Sequence, residues 1–266
     1  MKKEKKEVLI IIPAYNEEKT IGGLLDKLEE AGITKWADIL VMNDASSDDT
    51  GKLVRGRGYT VVTHIFNLGY GSGLQLGYKY AARKHYKYVI QMDADGQHDV
   101  KNVEVLYKAL TTKGEDGKTP DIVLGSRFVE GAAEYKVGFA KKFAIKLFKG
   151  LIRMLGHLKV TDPTTGLQGL SHGAFYFYSK YNHFDDRYPD ANMILQMHLL
   201  GFKIMEVPAI MHIRTEGVSM HSGLKPIIYM IRMMYSIISV WVRIRLFHSD
   251  IQGAVHDRNS EEPKEA

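Results

Sequence analysis

The 266-residue sequence predicts an α/β fold: a mostly parallel sheet with helices on both faces. Three observations predict it. Short apolar runs alternate with segments of helical period. The runs end in polar, glycine-rich or acidic turns. Carboxylates close two of them: Asp44 in VMNDASSDDT, and Asp93 with Asp95 in IQMDADGQHD. Acids at strand ends face the crevice where ligands of such sheets bind. An Asp-x-Asp pair there suits a divalent cation, which commonly shares its shell with substrate phosphates.

The elements follow in order. Val8 to Ile12 is an apolar run closed by Pro13, hence a buried strand. Ile21, Leu24, Leu25, Leu28 and Ala31 recur at helical spacing, and Gly32 is a stop. Ile39 to Met42 is a second strand, after which Ser47 or Asp48 caps a short helix. Thr60 to Ile65 is a third, and Leu74, Tyr78, Ala81 and Ala82 mark the next helix. Tyr88 to Met92 is a fourth, followed by a helix carrying Val103, Leu106, Tyr107 and Leu110. Ile122 to Leu124 is a fifth, and TTKGEDGKTP before it is a polar surface loop. The turn Tyr188-Pro189-Asp190-Ala191-Asn192 either caps a helix over 193–200 or sets Asp190 at an acceptor.

Two later segments are amphipathic. In Phe139 to Leu155, Lys142, Lys146, Lys149 and Arg153 form one basic stripe, and apolar residues cover most of the rest. It reads as a helix in a membrane interface or as an ordinary helix packed on the core. Ile227 to Phe247 is almost long enough to span a bilayer, but Arg232 lies inside it. Arg232, Ser236, Ser239 and Arg243 form a polar stripe there. A helix lying on the membrane is the expectation, with a subunit-contact helix as the other reading; Trp241 suits interfacial depth. The division expected is a tail (1–7), a catalytic domain (8–222, with an interfacial helix at 137–156), a membrane-associated helix (223–248) and a second tail (249–266).

Composition sets limits. With no cysteine, disulfides and thiolate metal sites are excluded. Apolar residues at 45% and charged residues at 25% are those of a folded globular chain. The start lacks a long apolar core and a small-residue cleavage site, so no signal peptide is expected. The net charge of +5 is mild, and the basic residues flank apolar helices rather than exposed aromatics, so no nucleic acid partner is expected.

Four motifs carry the chemistry. Pro13-Ala14-Tyr15-Asn16-Glu17 follows strand one, where polar groups read a base or ribose, or Asn16 caps a helix. Asp44 follows strand two, where its carboxylate accepts from a base N–H or makes a capping turn. In Asn67-Leu68-Gly69-Tyr70-Gly71-Ser72-Gly73 the glycines permit close backbone approach, and the helix start favours an anion. Asp95 and Gln97 offer oxygen donors for Mg²⁺ or Mn²⁺.

PAYNE, NDASSDDT, NLGYGSG and DADGQH in this order resemble family 2 glycosyltransferases of the GT-A fold, over roughly Val8 to Val129. Gly125-Ser126-Arg127-Phe128 and Asp162-Pro163-Thr164-Thr165-Gly166 narrow the resemblance to polyprenol-phosphate glycosyltransferases such as the dolichol-phosphate mannose synthases. The resemblance implies an inverting enzyme that moves a sugar from a nucleotide diphosphate to a polyprenyl phosphate. It implies that Pro13, Ala14, Tyr15 and Glu17 frame the nucleoside, that Asp44 contacts the base, and that Gly71 lies at the substrate. It places Asp93 near the ribose and diphosphate, and Asp95 and Gln97 on the metal. Arg127 faces the sugar or acceptor phosphate, with Lys141 or Lys142 as a second basic group. Arg214 closes over the diphosphate, and Ser219 is a weaker match, since the chain reads RTEGVSMHSG where relatives carry a Ser-Lys pair.

A phosphate acceptor is already largely ionised near neutral pH, with a second pKa of ~6, so it needs little help from a base. A polysaccharide or protein acceptor would need one, and Asp190 then becomes important. A nucleotide-binding membrane scaffold is the non-enzymatic alternative, but it has no use for DADGQ. The expected place of work is the cytoplasmic face of the cell membrane, peripherally bound, with a separate membrane protein for any later step.

Overall fold

The computed structural model describes residues 6–132, 138–212 and 225–248. Seven strands form one sheet in the order β3-β2-β1-β4-β6-β5-β7. They are β1 (Val8–Ala14), β2 (Ala37–Asn43), β3 (Thr60–Thr63), β4 (Tyr88–Gln91), β5 (Ile122–Ser126), β6 (Gln168–Ser171) and β7 (Ile204–Pro208). β1 pairs in parallel with both β2 and β4, β2 with β3, and β5 with β7. β6 runs antiparallel between β4 and β5.

The apolar run of β1 is continuous because both faces of the sheet are covered. Val8, Ile10 and Ile12 point to α1 (Ile21–Glu30) and α4 (Lys101–Thr111), sharing a core with Leu25, Leu28, Val103 and Leu106. Leu9 and Ile11 point the other way, into a larger core. There α3 (Tyr70–Arg83) and α6 (His172–Ser179) join α5 (Phe139–Gly156), α7 (Ala191–Leu199) and α8 (Lys225–Arg245). A short α2 (Thr50–Gly56) follows β2.

The five predicted strands and the helices between them are present. β6, β7 and α6 were not predicted. β6 reads QGLS, too short and too poor in alternation to stand out, and it is held by its two neighbours. Strand order reverses at β1: the chain goes from β1 to β2 and β3, then returns through α3 to β4 on the other side. That switch opens a crevice at the carboxyl ends of β1 and β4.

α5 packs on the core, with Phe148 and Ile152 fully buried, while Phe143 and Met154 remain exposed beside Lys142 and Lys146. On α8 the polar stripe is divided. Arg232 and Ser239 are exposed, but Ser236 and Arg243 turn inward to α7. The physical reason is that α7 presents Asn192 and Gln196, which need partners in a contact otherwise built from Met233, Ile237, Val240 and Ile244.

Candidate active site

The turns after β1 and β2 lock together. Asn16 Oδ1 accepts from the Ser47 backbone N–H at 2.8 Å, and the Asn16 N–H donates to Ser46 Oγ at 2.9 Å. The Glu17 N–H donates to Thr50 Oγ1 at 2.8 Å, and Asp48 accepts from the Glu18 and Thr50 N–H groups. These bonds hold Asp48 below the ordinary carboxylate range against the opposing effect of burial. Asn16 thus joins two loops rather than capping α1, whose N-cap is Thr20. Pro13 and Ala14 end β1 beneath this junction, Tyr15 is exposed, and Glu17 is half-buried.

Asp44 is buried and occupied. It accepts from the Leu68 and Gly69 N–H groups at 2.8 and 2.9 Å and lies 2.7 Å from His64 Nδ1. It therefore fixes the loop that starts α3. The close approach expected at Gly71 is made by the protein's own backbone. A Cβ there would lie 2.1 Å from the Asp185 carbonyl oxygen, and the Ser72 N–H donates to the Asp186 carbonyl at 2.9 Å.

The acid turn follows β4 into the crevice. Asp93 accepts from Tyr70 Oη at 2.8 Å and lies 3.2 Å from His98 Nε2. Burial alone would raise the Asp93 carboxyl, but His98, Tyr70 and the Lys141 charge hold it below its ordinary value. Gln91, inside the strand, donates to Tyr70 Oη at 3.0 Å and to the Gly166 carbonyl at 2.9 Å, while Tyr78 donates to its Oε1. Asp95 Oδ1 accepts from the Gln97 N–H at 3.0 Å, with Gly96 between them at φ 73°. No cluster of three or more His, Asp or Glu side chains forms a protein-only metal cage among the described residues. A half-buried Asp–Gln pair fits the other mode, in which substrate phosphates and water complete the shell of Mg²⁺ or a like ion.

A cavity of about 70 Å³ adjoins this turn, lined by Asp93, Gln97, His98, Arg127, Lys141 and Thr164 among others. Arg127 is buried and grips Asp162 through two bonds of 2.6 Å, with a third from its Nη2 to Thr164 Oγ1 at 3.0 Å. Its first role is thus to tie β5 to the DPTTG turn. Lys141 lines the cavity and Lys142 does not. Burial lowers the Lys141 amine, the Arg127 charge lowers it further, and three nearby acids only partly offset this.

Asp190 precedes α7 and meets this cluster. Burial pushes its carboxyl up to about 6, with repulsion from Asp93 and Asp185, against a hydrogen bond from Tyr229. Arg214 and Ser219 lie outside the described residues. Sequence reasoning quoted the motifs that hold Tyr70 and His98 but gave neither residue a role, and it singled out neither Gln91 nor Tyr229. A glutamine inside an apolar strand was the available signal for Gln91; Tyr229 read as one of the tyrosines suited to interfacial depth in an apolar helix.

The family model for glycosyl transferase family 2 matches residues 9–178. The chain belongs to glycosyl transferase family 2. Among curated relatives, this glycosyltransferase is 30% identical to an undecaprenyl-phosphate mannosyltransferase of Micrococcus luteus, over 60% of the chain and 64% of the relative. It is 26% identical to a polyprenol monophosphomannose synthase of Mycolicibacterium smegmatis, over 81% of each. Among solved structures, glucosyl-3-phosphoglycerate synthase from Mycobacterium tuberculosis, in complex with Mn²⁺ and UDP-glucose, superposes with a TM-score of 0.63 at 20% identity. The match covers 88% of this chain and 79% of that one. The architecture is the GT-A fold of glycosyltransferases.

Proposed function

We propose that this family 2 glycosyltransferase moves a sugar from a nucleotide diphosphate to a polyprenyl phosphate at a membrane surface, with inversion. The observation that carries the reading is the acid turn Asp93–Gln97 opening beside a cavity lined by Lys141 and Arg127. A diphosphate needs cations on both sides, and this corner supplies a cation-binding pair and two basic side chains. Two relatives named for sugar transfer to polyprenyl phosphates support the acceptor class. Asp95 and Gln97 would hold Mg²⁺ or Mn²⁺, whose charge stabilises the departing diphosphate when bound. A divalent ion with a nucleotide sugar in the related structure agrees with this choice.

The chain's own residues do the rest. Tyr70 and His98 fix Asp93 beside the donor. Lys141 and Arg127 draw phosphate oxygens into the cavity. An acceptor phosphate oxygen attacks the anomeric carbon as its bond to the diphosphate oxygen breaks, so the nucleoside diphosphate leaves. Asp190, with its carboxyl pushed up to about 6, takes the proton from an acceptor still in its monoanionic form. Arg214, outside the described residues, is proposed to close over the diphosphate, with Ser219 as a weaker substrate contact.

Within α8, Ile227–Arg245 is long and apolar enough to cross a membrane by length and composition, and most of it is not buried against the rest of the protein. Its polar bonds to α7 favour a helix lying along the surface instead. The cytoplasmic face is the side where nucleotide sugars occur, and a separate membrane protein would carry any later step.

A hydroxyl acceptor on a polysaccharide or protein is the second reading, favoured by the presence of Asp190 as a base. Labelled UDP- and GDP-sugars offered with a polyprenyl phosphate in detergent, or with a soluble oligosaccharide, separate the two. Label in the lipid phase is expected. Label only in the oligosaccharide would replace the first reading by the second.

A further inference from the structure

We propose that Tyr229 is a positioning residue for the catalytic centre, and that α8 holds the active site together as well as meeting the membrane. This inference rests on the sugar-transfer reading above. Tyr229, Ser236 and Arg243 are spaced by seven residues, two turns of helix, so they fall on one face of α8. Each meets a polar group on or beside α7. Tyr229 Oη donates to Asp190 Oδ2 at 2.6 Å. Asn192 Nδ2 donates to Ser236 Oγ at 2.8 Å and to Asp185 Oδ2 at 2.8 Å. Arg243 donates to Gln196 Oε1.

The seam continues into the donor site. Asp185 and Asp186 press their backbone onto Gly71, and Asp186 accepts from Ser72 at the start of α3. Tyr70, between Gly69 and Gly71, holds Asp93. The Tyr229 ring is itself held edge-on between Phe148 of α5, at 6.0 Å, and Tyr188, at 5.3 Å. Three elements thus aim one hydroxyl at one carboxylate. A helix serving only as an anchor needs no such seam, since apolar contacts alone would dock it.

Among the described residues, the groups facing Asp190 include Asp93 after β4, Asp185 in the loop, Lys141 on α5, Tyr70 on α3 and Tyr229 on α8. Of these, Tyr229 donates a hydrogen bond that favours the charged carboxylate. Its loss raises the pH at which Asp190 ionises.

The test compares wild type, Tyr229→Phe, Asp190→Asn and the double variant, all full-length in detergent. The Asp190 carboxyl signal is followed by carbon NMR against pH and assigned by its absence in Asp190→Asn. Tyr229→Phe is expected to move that titration to higher pH. It should also lower kcat about tenfold on the acid side, with the KM for nucleotide sugar changed less than twofold. In the Asp190→Asn background, Tyr229→Phe should add nothing. An unmoved carboxyl titration in folded Tyr229→Phe, or fully additive losses in the double variant, overturns the proposal. Ser236→Ala is a second probe should Tyr229→Phe fold poorly, and it too must lower kcat rather than raise KM. If no donor supports transfer by wild type, the sugar-transfer reading fails, while the carboxyl titration still decides whether Tyr229 sets Asp190.

Discussion

Asp190 is the residue whose state the fold alters most usefully. Its folded value of about 6 lies above the ordinary 3.8, so the folded chain binds more protons than the unfolded one between these values. Its contribution to stability is therefore full below about pH 4 and is lost as pH rises through about 6. A two-unit shift corresponds to at most about 2.7 kcal/mol, and partial solvent access reduces this to roughly 1 kcal/mol. Asp190→Asn, which keeps an acceptor for Tyr229, should accordingly raise the melting temperature near pH 8 by a few degrees relative to wild type. Its transfer rate should fall most on the acid side and recover towards wild type above about pH 7, where the acceptor phosphate is already a dianion. A deficit that persists at all pH values would indicate a hydroxyl acceptor. Arg127 behaves differently. Arg127→Ala leaves Asp162 buried and unpaired, which costs about 3–5 kcal/mol, and thermal unfolding should show it. Replacing both partners by apolar residues of similar size should restore much of that loss.

At the scale of elements, the turns are more interdependent than the chain's motifs suggest one by one. The sequence announced strand ends at Pro13, Asn43 and Asp93 because apolar runs stop there at polar or rigid residues. It placed Asp93, Asp95 and Gln97 in the turn after β4 because the apolar run stops just before them; their role at a metal is the proposal made above. It did not announce that Asp44 would be consumed by the Leu68 and Gly69 N–H groups, since those partners come from a loop about twenty-five residues away. Nor did it show that Gly71 accommodates the 185–186 backbone, a contact between segments more than a hundred residues apart. Gly71→Ala should therefore force that loop away, at a cost of about 1–3 kcal/mol, and weaken nucleotide-sugar binding through Tyr70. Calorimetric binding of the donor, together with the melting temperature, checks both effects. The antiparallel β6 escaped for a similar reason: its stability resides in β4 and β5 rather than in its own four residues.

For the whole molecule, the two cores divide the labour. The face with α1 and α4 is closed by aliphatic packing and carries little of the site. The face with α3, α5, α7 and α8 carries Tyr70, Lys141, Asp190 and Tyr229, and it ends in the exposed apolar surface of α8, including Ile227, Ile228, Ile231 and Ile238. The site residues and this exposed apolar surface thus share one side. Ile231→Glu with Ile238→Glu should reduce co-sedimentation with anionic vesicles by about tenfold or more, since two isoleucines contribute about 1.5–3 kcal/mol each when buried. Transfer to a short-chain acceptor in detergent should survive that change.

The role proposed for the acid turn after β4 is metal-dependent transfer of a sugar to a lipid phosphate. It is tested most directly by extracting lipid-linked label after incubation of the purified chain with labelled nucleotide sugar, polyprenyl phosphate and Mn²⁺. Wild type should form a lipid-linked sugar that chelation abolishes and Mn²⁺ or Mg²⁺ restores, and Asp95→Ala should form less than about one hundredth as much. Equal product from Asp95→Ala, or undiminished product after chelation, would rule out that role for the acid turn.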